Sequence, residues 1–357
     1  FGVNVTGSYD SVINSAVDYN DYGIYVAGSR DSIVSSNVSY NWYGVYVAGY
    51  NDSVVDSTVT YNIWYGVKVA GDNDSFVGDR FVWDGLVLAG PYYEVVANDT
   101  VNGRPLVYLY DASNVTVSHA GEVIAIDSRG LKVIGVNVSY TTVGVQFWDV
   151  NDSIIEDVVA FGNVFGVEVA GSRDSIVSSN VSYNIWVGVS IAGSYDSVVN
   201  STVSHDGYGT YVRYGIYGIN VAYYLYVLSG YGVEVAGSYD SVVNSTVSHD
   251  GHGIYINGSY DSVVDSTVSD NRLFGVNVTG SYDSVINSAV DGSGLAGVNI
   301  TGSHDSILNS TVSNDRLFGV YVAGYNDSIV SSTVGGNVFG VKVAGDNDSF
   351  VGDRFVW

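Results

Sequence analysis

Residues 1–18 read FGVNVTGSYDSVINSAVD. Gly2 precedes Val3-Asn4-Val5, an in–out–in alternation. A turn at Gly7-Ser8-Tyr9-Asp10 leads to Ser11-Val12-Ile13, and a second break at Asn14-Ser15 leads to Ala16-Val17. β-Branched pieces split by Gly, Asn, Asp and Ser read as three short strands and their turns. The anchor is a Gly, then Val or Ile, a variable residue and a second β-branched residue. It returns at Gly23, Gly44, Gly66, Gly144, Gly166, Gly188, Gly232, Gly253, Gly275, Gly297, Gly319 and Gly340. The spacing is mostly about 21–22 residues, a solenoid period.

One such rung cannot bury its apolar face, whereas stacked rungs share a continuous core. The expectation is an all-β fold: a right-handed parallel β-helix with about 21–22 residues per rung. About sixteen rungs at the strand spacing of about 4.8 Å make a rod roughly 75 Å long. The Leu ladder of leucine-rich repeats, the G-G-x-G-x-D of calcium-binding nonapeptides and hexapeptide periods do not occur.

Composition agrees. The 357 residues include Gly 44, Tyr 31, Pro 2, no Cys and no Met, with 46% hydrophobic residues. That hydrophobic share excludes disorder. Zero Cys excludes a disulfide framework or a thiolate site. A net charge of −25 argues against nucleic acid as a partner, which needs clustered Lys and Arg. No run of 18 apolar residues suggests a membrane-spanning helix. All but five acidic residues are Asp, a turn residue, so the negative charge is expected in the turns.

Two stretches break the rhythm. Residues 84–143 form an irregular block with Val101-Asn102-Gly103-Arg104-Pro105-Leu106-Val107-Tyr108-Leu109-Tyr110 and Ala120-Gly121-Glu122-Val123-Ile124. Residues 209–231 are Tyr-rich and alternating, which reads as an inserted hairpin or extra rung, or a lateral contact. The expected segments are therefore regular rungs at 1–83, irregular rungs with a strand pair at 84–143, rungs at 144–208, the insertion at 209–231 and rungs at 232–357.

The rungs and the 101–124 block together resemble the right-handed β-helix repeat family, and within it the NosD-like cell-surface proteins common in archaea. The resemblance implies the fold, an inserted strand pair in the block, and a cell-surface location. Copper handling goes with the family's name. The chain shows no Cys, Met or His cluster to carry it.

A longer repeat overlies the rungs. Residues 1–18 recur unchanged at 274–291, and residues 66–83 recur unchanged at 340–357. Residues 274–357 thus begin a second copy of a module of about 274 residues. The chain opens at Phe1 and closes at Trp357 in mid-rung, without an initiator Met or a signal peptide. The expectation is a segment of a longer tandem array, joined head to tail through Phe1, Gly2, Phe355, Val356 and Trp357. An open solenoid end exposes unpaired strand edges, and head-to-tail stacking does not close.

Four candidate chemistries stand out. Asp10, Asp31, Asp52, Asp74, Asp152, Asp174, Asp196, Asp240, Asp261, Asp283, Asp305, Asp327 and Asp348 read as one slot, each followed by Ser. Carboxylates about 5 Å apart repel by roughly 1 kcal/mol in water and about 3–4 kcal/mol at an effective dielectric of 20. Each carboxylate is expected to cap its own turn. Ca²⁺ held by Asp10, Asp31, Asp52, Asp74, Asp174 and Asp196 is the alternative. No cofactor is otherwise required.

N-x-[ST] sequons mark N-linked glycans at Asn4, Asn37, Asn51, Asn73, Asn98, Asn114, Asn137, Asn151, Asn180, Asn200, Asn244, Asn257, Asn277, Asn299, Asn309, Asn326 and Asn347.

Asp250-Gly251-His252-Gly253 resembles the G-H-G motif of polygalacturonases. The outward row of the first strand (Asn4, Tyr25, Tyr46, Lys68, Gln146, Glu168, Ser190, Glu234, Tyr255, Asn277, Asn299, Tyr321, Lys342) offers no carboxylate pair beside a basic residue. The reading is therefore non-enzymatic. His205 and His249 share a further slot, which the 209–231 insertion is expected to separate.

The function read from the sequence is a structural, extracellular protein forming a filament, sheath or surface layer. Its partners are copies of itself, head to tail and laterally. The alternative is a carbohydrate-binding or carbohydrate-cleaving β-helix.

Overall fold

The computed structural model describes residues 1–207, 211–216, 219–224 and 230–356, with the side chains of 208–229 outside that description. The fold is all-β, a parallel β-solenoid of about 15 turns. Two compact units make it up: residues 1–153 with 158–168, and residues 154–157 with 169–357.

Each regular rung has three strands. Tyr22–Val26, Ser32–Val34 and Asn37–Ser39 form the first, second and third faces of one rung. Strands stack in parallel on their equivalents one rung on, as in Ile24↔Val45, Tyr25↔Tyr46 and Val26↔Val47. Alternation decides what goes inside. Ile24, Val26, Ile33 and Val38 are buried, while Tyr25, Ser32 and Val34 are half-buried on the outside. The β-branched side chains line the core because they fit a pleated, closely stacked wall.

The first corner explains the Gly-Ser-x-Asp motif. The backbone of each corner glycine passes close to the corner glycine one rung back. A Cβ on Gly258 would sit 1.7 Å from the Gly237 carbonyl oxygen and 2.3 Å from Asp261 Oδ2. Gly258→Ala is therefore expected to destabilise the second unit by about 3 kcal/mol through overpacking, read as a lower midpoint in guanidinium unfolding.

In the first unit the regular stack runs from Val3–Val5 to Leu86–Leu88 on the first face. In the irregular block, Thr100–Val101 pairs antiparallel with Pro105 and Arg104. The chain then begins a fresh parallel stack of Arg104–Tyr110, Glu122–Ile126 and Val143–Asn151.

In the second unit, Val187–Ile191 pairs directly with Tyr231–Val235. The segment between them carries Tyr211–Ile216 and Ile219–Tyr224, paired antiparallel as a separate two-stranded sheet. A lateral role for the tyrosine side chains there falls outside the described residues. The insertion does not separate the two histidines. His205 and His249 occupy successive rungs, with rings parallel and 4.8 Å apart, because the ladder bridges the looped-out segment.

Candidate functional site

Three polar columns run up the corners and tie rung to rung. At the first corner each Asp Oδ1 accepts the backbone N–H of the Asp one rung earlier. Examples are Asp31 from Asp10 (2.7 Å), Asp74 from Asp52 (2.7 Å) and Asp283 from Asp261 (2.8 Å). At the second corner Ser Oγ does the same, as with Ser36 N–H to Ser57 Oγ at 3.1 Å. At the third corner Asn or Asp does it, as with Asn41 N–H to Asn62 Oδ1 at 2.9 Å and Asp206 N–H to Asp250 Oδ1 at 2.7 Å. Corner N–H groups cannot join the strand ladders, and a buried orphan would be costly. The side chain from the neighbouring rung supplies the acceptor.

This corrects the expectation that each Asp caps its own turn. It also moves the charge. Asp31, Asp52, Asp74, Asp174, Asp196, Asp240, Asp261, Asp283, Asp305 and Asp327 are buried, and in all of them but Asp174 Oδ2 is left without a hydrogen-bond partner among the described residues. Burial, reinforced by neighbouring carboxylates, pushes Asp74, Asp240 and Asp305 up to about 7 and Asp283 up to about 8 against the backbone bonds. Asp152 is not in the column. Ser153 occupies the inward slot and accepts Leu131 N–H at 2.9 Å, and Asp152 is exposed with φ 55°. Among the described residues no three His, Cys, Asp or Glu side chains are grouped to hold a metal.

The residue just before each inward Asp has positive φ and points out. Tyr195, Tyr239, Tyr260, Tyr282 and His304 occupy this position at φ 63°, where L-residues are disfavoured. Their rings stack at 4.7–5.0 Å along the second unit. A second outer column in the first unit joins Tyr19, Tyr40, Tyr61, Trp83 and Tyr140. On the first face Tyr22, Tyr43 and Tyr65 stack beside Tyr25 and Tyr46, with Lys68 Nζ 5.0 Å from the Tyr65 ring.

The irregular block closes the first stack with side chains. Leu86–Leu88 has no further strand in its sheet. Leu86 N–H donates to Glu122 Oε1 at 2.9 Å, and Leu88 exchanges two 3.0 Å bonds with the Gln146 amide. Thr142 Oγ1 accepts Gly66 and Gly85 N–H, both at 3.1 Å. Gln146 is thus buried rather than in the outward row. Beside this cap lies a cleft of about 590 Å³ lined by Trp83, Tyr140, Phe161, Asn102, Arg104 and Asn137 among others.

The second module start is docked as an ordinary rung. His252–Ile256 pairs with Phe274–Val278 (Ile254↔Val276, Tyr255↔Asn277, Ile256↔Val278). The other two faces and two polar columns also cross the joint without a break. His252 is buried between Tyr231 and Phe274, and desolvation lowers it to about 4.

Of the sequon residues, Asn4, Asn37, Asn51, Asn73, Asn98, Asn114, Asn137, Asn180, Asn200, Asn244, Asn257, Asn309 and Asn347 are exposed. Asn151, Asn277 and Asn326 are half-buried, and Asn299 is buried with its amide donating to Asn277 Oδ1 at 2.7 Å. Of the assembly residues, Phe1, Gly2, Phe355 and Val356 are exposed, and Trp357 lies outside the described residues.

A family described as "Right handed beta helix region" matches residues 231–351, and one described as "Periplasmic copper-binding protein (NosD)" matches residues 108–224. No curated protein matches the chain. Among solved structures, the A-module of the Azotobacter vinelandii mannuronan C-5 epimerase AlgE4 aligns over 91% of this chain and 86% of its own, with TM-score 0.53 and 13% identity. A mutant of the periplasmic alginate epimerase AlgG aligns over 86% and 77%, with TM-score 0.52 and 10% identity. At such identities the likeness is one of fold. The chain has the right-handed β-helix fold and is similar, over residues 231–351 and 108–224, to the β-helix repeat and NosD-like families.

Proposed function

We propose that this chain is a structural element of an extracellular or periplasmic surface, built by stacking tandem modules into a filament or sheath. The joint at residues 272–275 carries the reading. There, a sequence identical to residues 1–18 sits on the preceding module with all three faces and two of the three polar columns in rung register. A solenoid contacts only its neighbours, so such a joint can repeat without limit. The matched NosD family is described as periplasmic, and so is AlgG, which supports the location. No helix among the described residues is long and apolar enough to cross a membrane.

Electron microscopy of the native, undenatured material tests the reading. Filaments many modules long are expected. Isolated short rods would overturn it.

A second reading, carbohydrate binding, draws on the half-exposed ring row of Tyr22, Tyr43 and Tyr65 beside Tyr25 and Tyr46. Pull-down on insoluble polysaccharides, compared with a Tyr25→Ala/Tyr46→Ala variant, tests it. Equal retention of both proteins contradicts it.

A further inference from the structure

The sequons are not equivalent. Several asparagine amides are committed to their neighbours one rung away: Asn244 Nδ2 donates to Asn200 at 2.7 Å, and Asn309 Nδ2 to Asn287 at 2.8 Å. Asn137 differs. It is exposed, and its side-chain amide makes no hydrogen bond among the described residues. It also lines the cleft of about 590 Å³ in the first unit.

That cleft has a built wall. Trp83 and Tyr140 stack face to face at 4.3 Å and are 52% and 37% exposed. Asn102, at the tip of the antiparallel pair, holds them together. Its Oδ1 accepts Trp83 N–H at 2.9 Å, and its Nδ2 donates to the carbonyls of Ser139 (3.0 Å) and Tyr140 (2.9 Å). Arg104 comes from the same hairpin and donates Nη1 to the Asn137 carbonyl at 2.6 Å. It forms no ion pair among the described residues, in a chain with 37 acidic residues and only 12 Lys and Arg. A flat ring surface, a guanidinium with spare donors and an open cleft suit a sugar ring, whose apolar face stacks while its hydroxyls are hydrogen-bonded.

We infer that Asn137 carries an N-linked glycan whose first sugars lie in this cleft, on Trp83 and Tyr140 and within reach of Arg104. The inference rests on the reading of the sequons as glycan sites. The seated glycan covers aromatic surface that would otherwise face water, and it shields the tip of the hairpin.

The test is expression of the full chain in a eukaryotic secretory host, followed by site-by-site glycopeptide mapping. Native protein is then treated with peptide-N-glycosidase. Asn137 is expected to be occupied, and its glycan to be released at least about tenfold more slowly than that at Asn37. Trp83→Ala and, independently, Arg104→Ala should bring the Asn137 rate towards the Asn37 rate. An empty Asn137 beside occupied Asn37 and Asn180, or equal release rates in the wild-type protein, would overturn this inference alone. No occupancy at any sequon would overturn the sequon reading itself.

Discussion

Acidifying the protein from pH 8.5 to pH 5 should make it more stable, with a rise in Tm of about 10 °C or more. The cause is the buried carboxyl columns. Asp74, Asp79, Asp240, Asp305 and Asp315 are pushed up to about 7, and Glu94 and Asp283 to about 8, with desolvation the leading cause in each. A carboxyl raised above its unfolded value holds its proton more tightly when folded. Its contribution is complete below about pH 4 and is lost as pH rises through about 7–8. A tenfold change in proton affinity is worth about 1.4 kcal/mol, and each kcal/mol moves Tm by about 2–4 °C in a domain of about 200 residues. A few rungs contributing part of this suffice. His205 and His252, lowered by burial, pull the other way on acidification, but they are two groups against many.

Scanning calorimetry across pH checks this. A Tm highest at pH 8.5 would contradict it. Asp283→Asn keeps the acceptor for Asp261 N–H and cannot ionise, so it should narrow the gap between pH 5 and pH 8.5. Asp283→Ala removes the acceptor as well as the ionisable group, so it should cost about 2–3 kcal/mol at pH 5 and less at pH 8.5.

The second large effect belongs to Glu122. It is fully buried, and burial holds its carboxyl well above the usual range. One oxygen receives Leu86 N–H at the open edge of the first stack, and the other meets Thr141 Oγ1, which lies 3.4 Å from the Asp84 carbonyl. Glu122→Ala leaves the Leu86 N–H buried and unpaired and opens a cavity. The expected cost is about 3–4 kcal/mol. Glu122→Gln can repeat both contacts and should cost less than about 1 kcal/mol. Denaturant unfolding of the two variants separates the outcomes. Equal losses would show that shape, not hydrogen bonding, closes the edge.

Much of the architecture is legible in residues 1–18. The Gly-[VI]-x-[VI] anchor places Ile24, Val26, Ile33 and Val38 inside, because strand alternation has only two phases. The corners are harder. Tyr195-Asp196 offers an aromatic and a carboxylate side by side, and hydropathy puts the ring in and the charge out. The structure does the opposite, since the turn needs an acceptor for the N–H below it and the ring gains by stacking on its neighbours. The same ambiguity misplaces Asp152, where Asn151-Asp152-Ser153 lets Ser153 take the inward slot. With the Asp column buried, the acidic turns are less of an outer charged coat than the composition suggests.

Glu122 and Gln146 escape a reading of the sequence because their partners lie 36 and 58 residues away. The one available signal is a Glu, rare in this chain, at the head of the apolar run Val123-Ile124.

Fibre diffraction from oriented native material tests the central claim most directly. Rungs stacked through successive modules along the filament predict a sharp meridional reflection near about 4.8 Å. A reflection at that spacing lying on the equator, or none from well-oriented filaments, would contradict a filament built by rung-on-rung stacking.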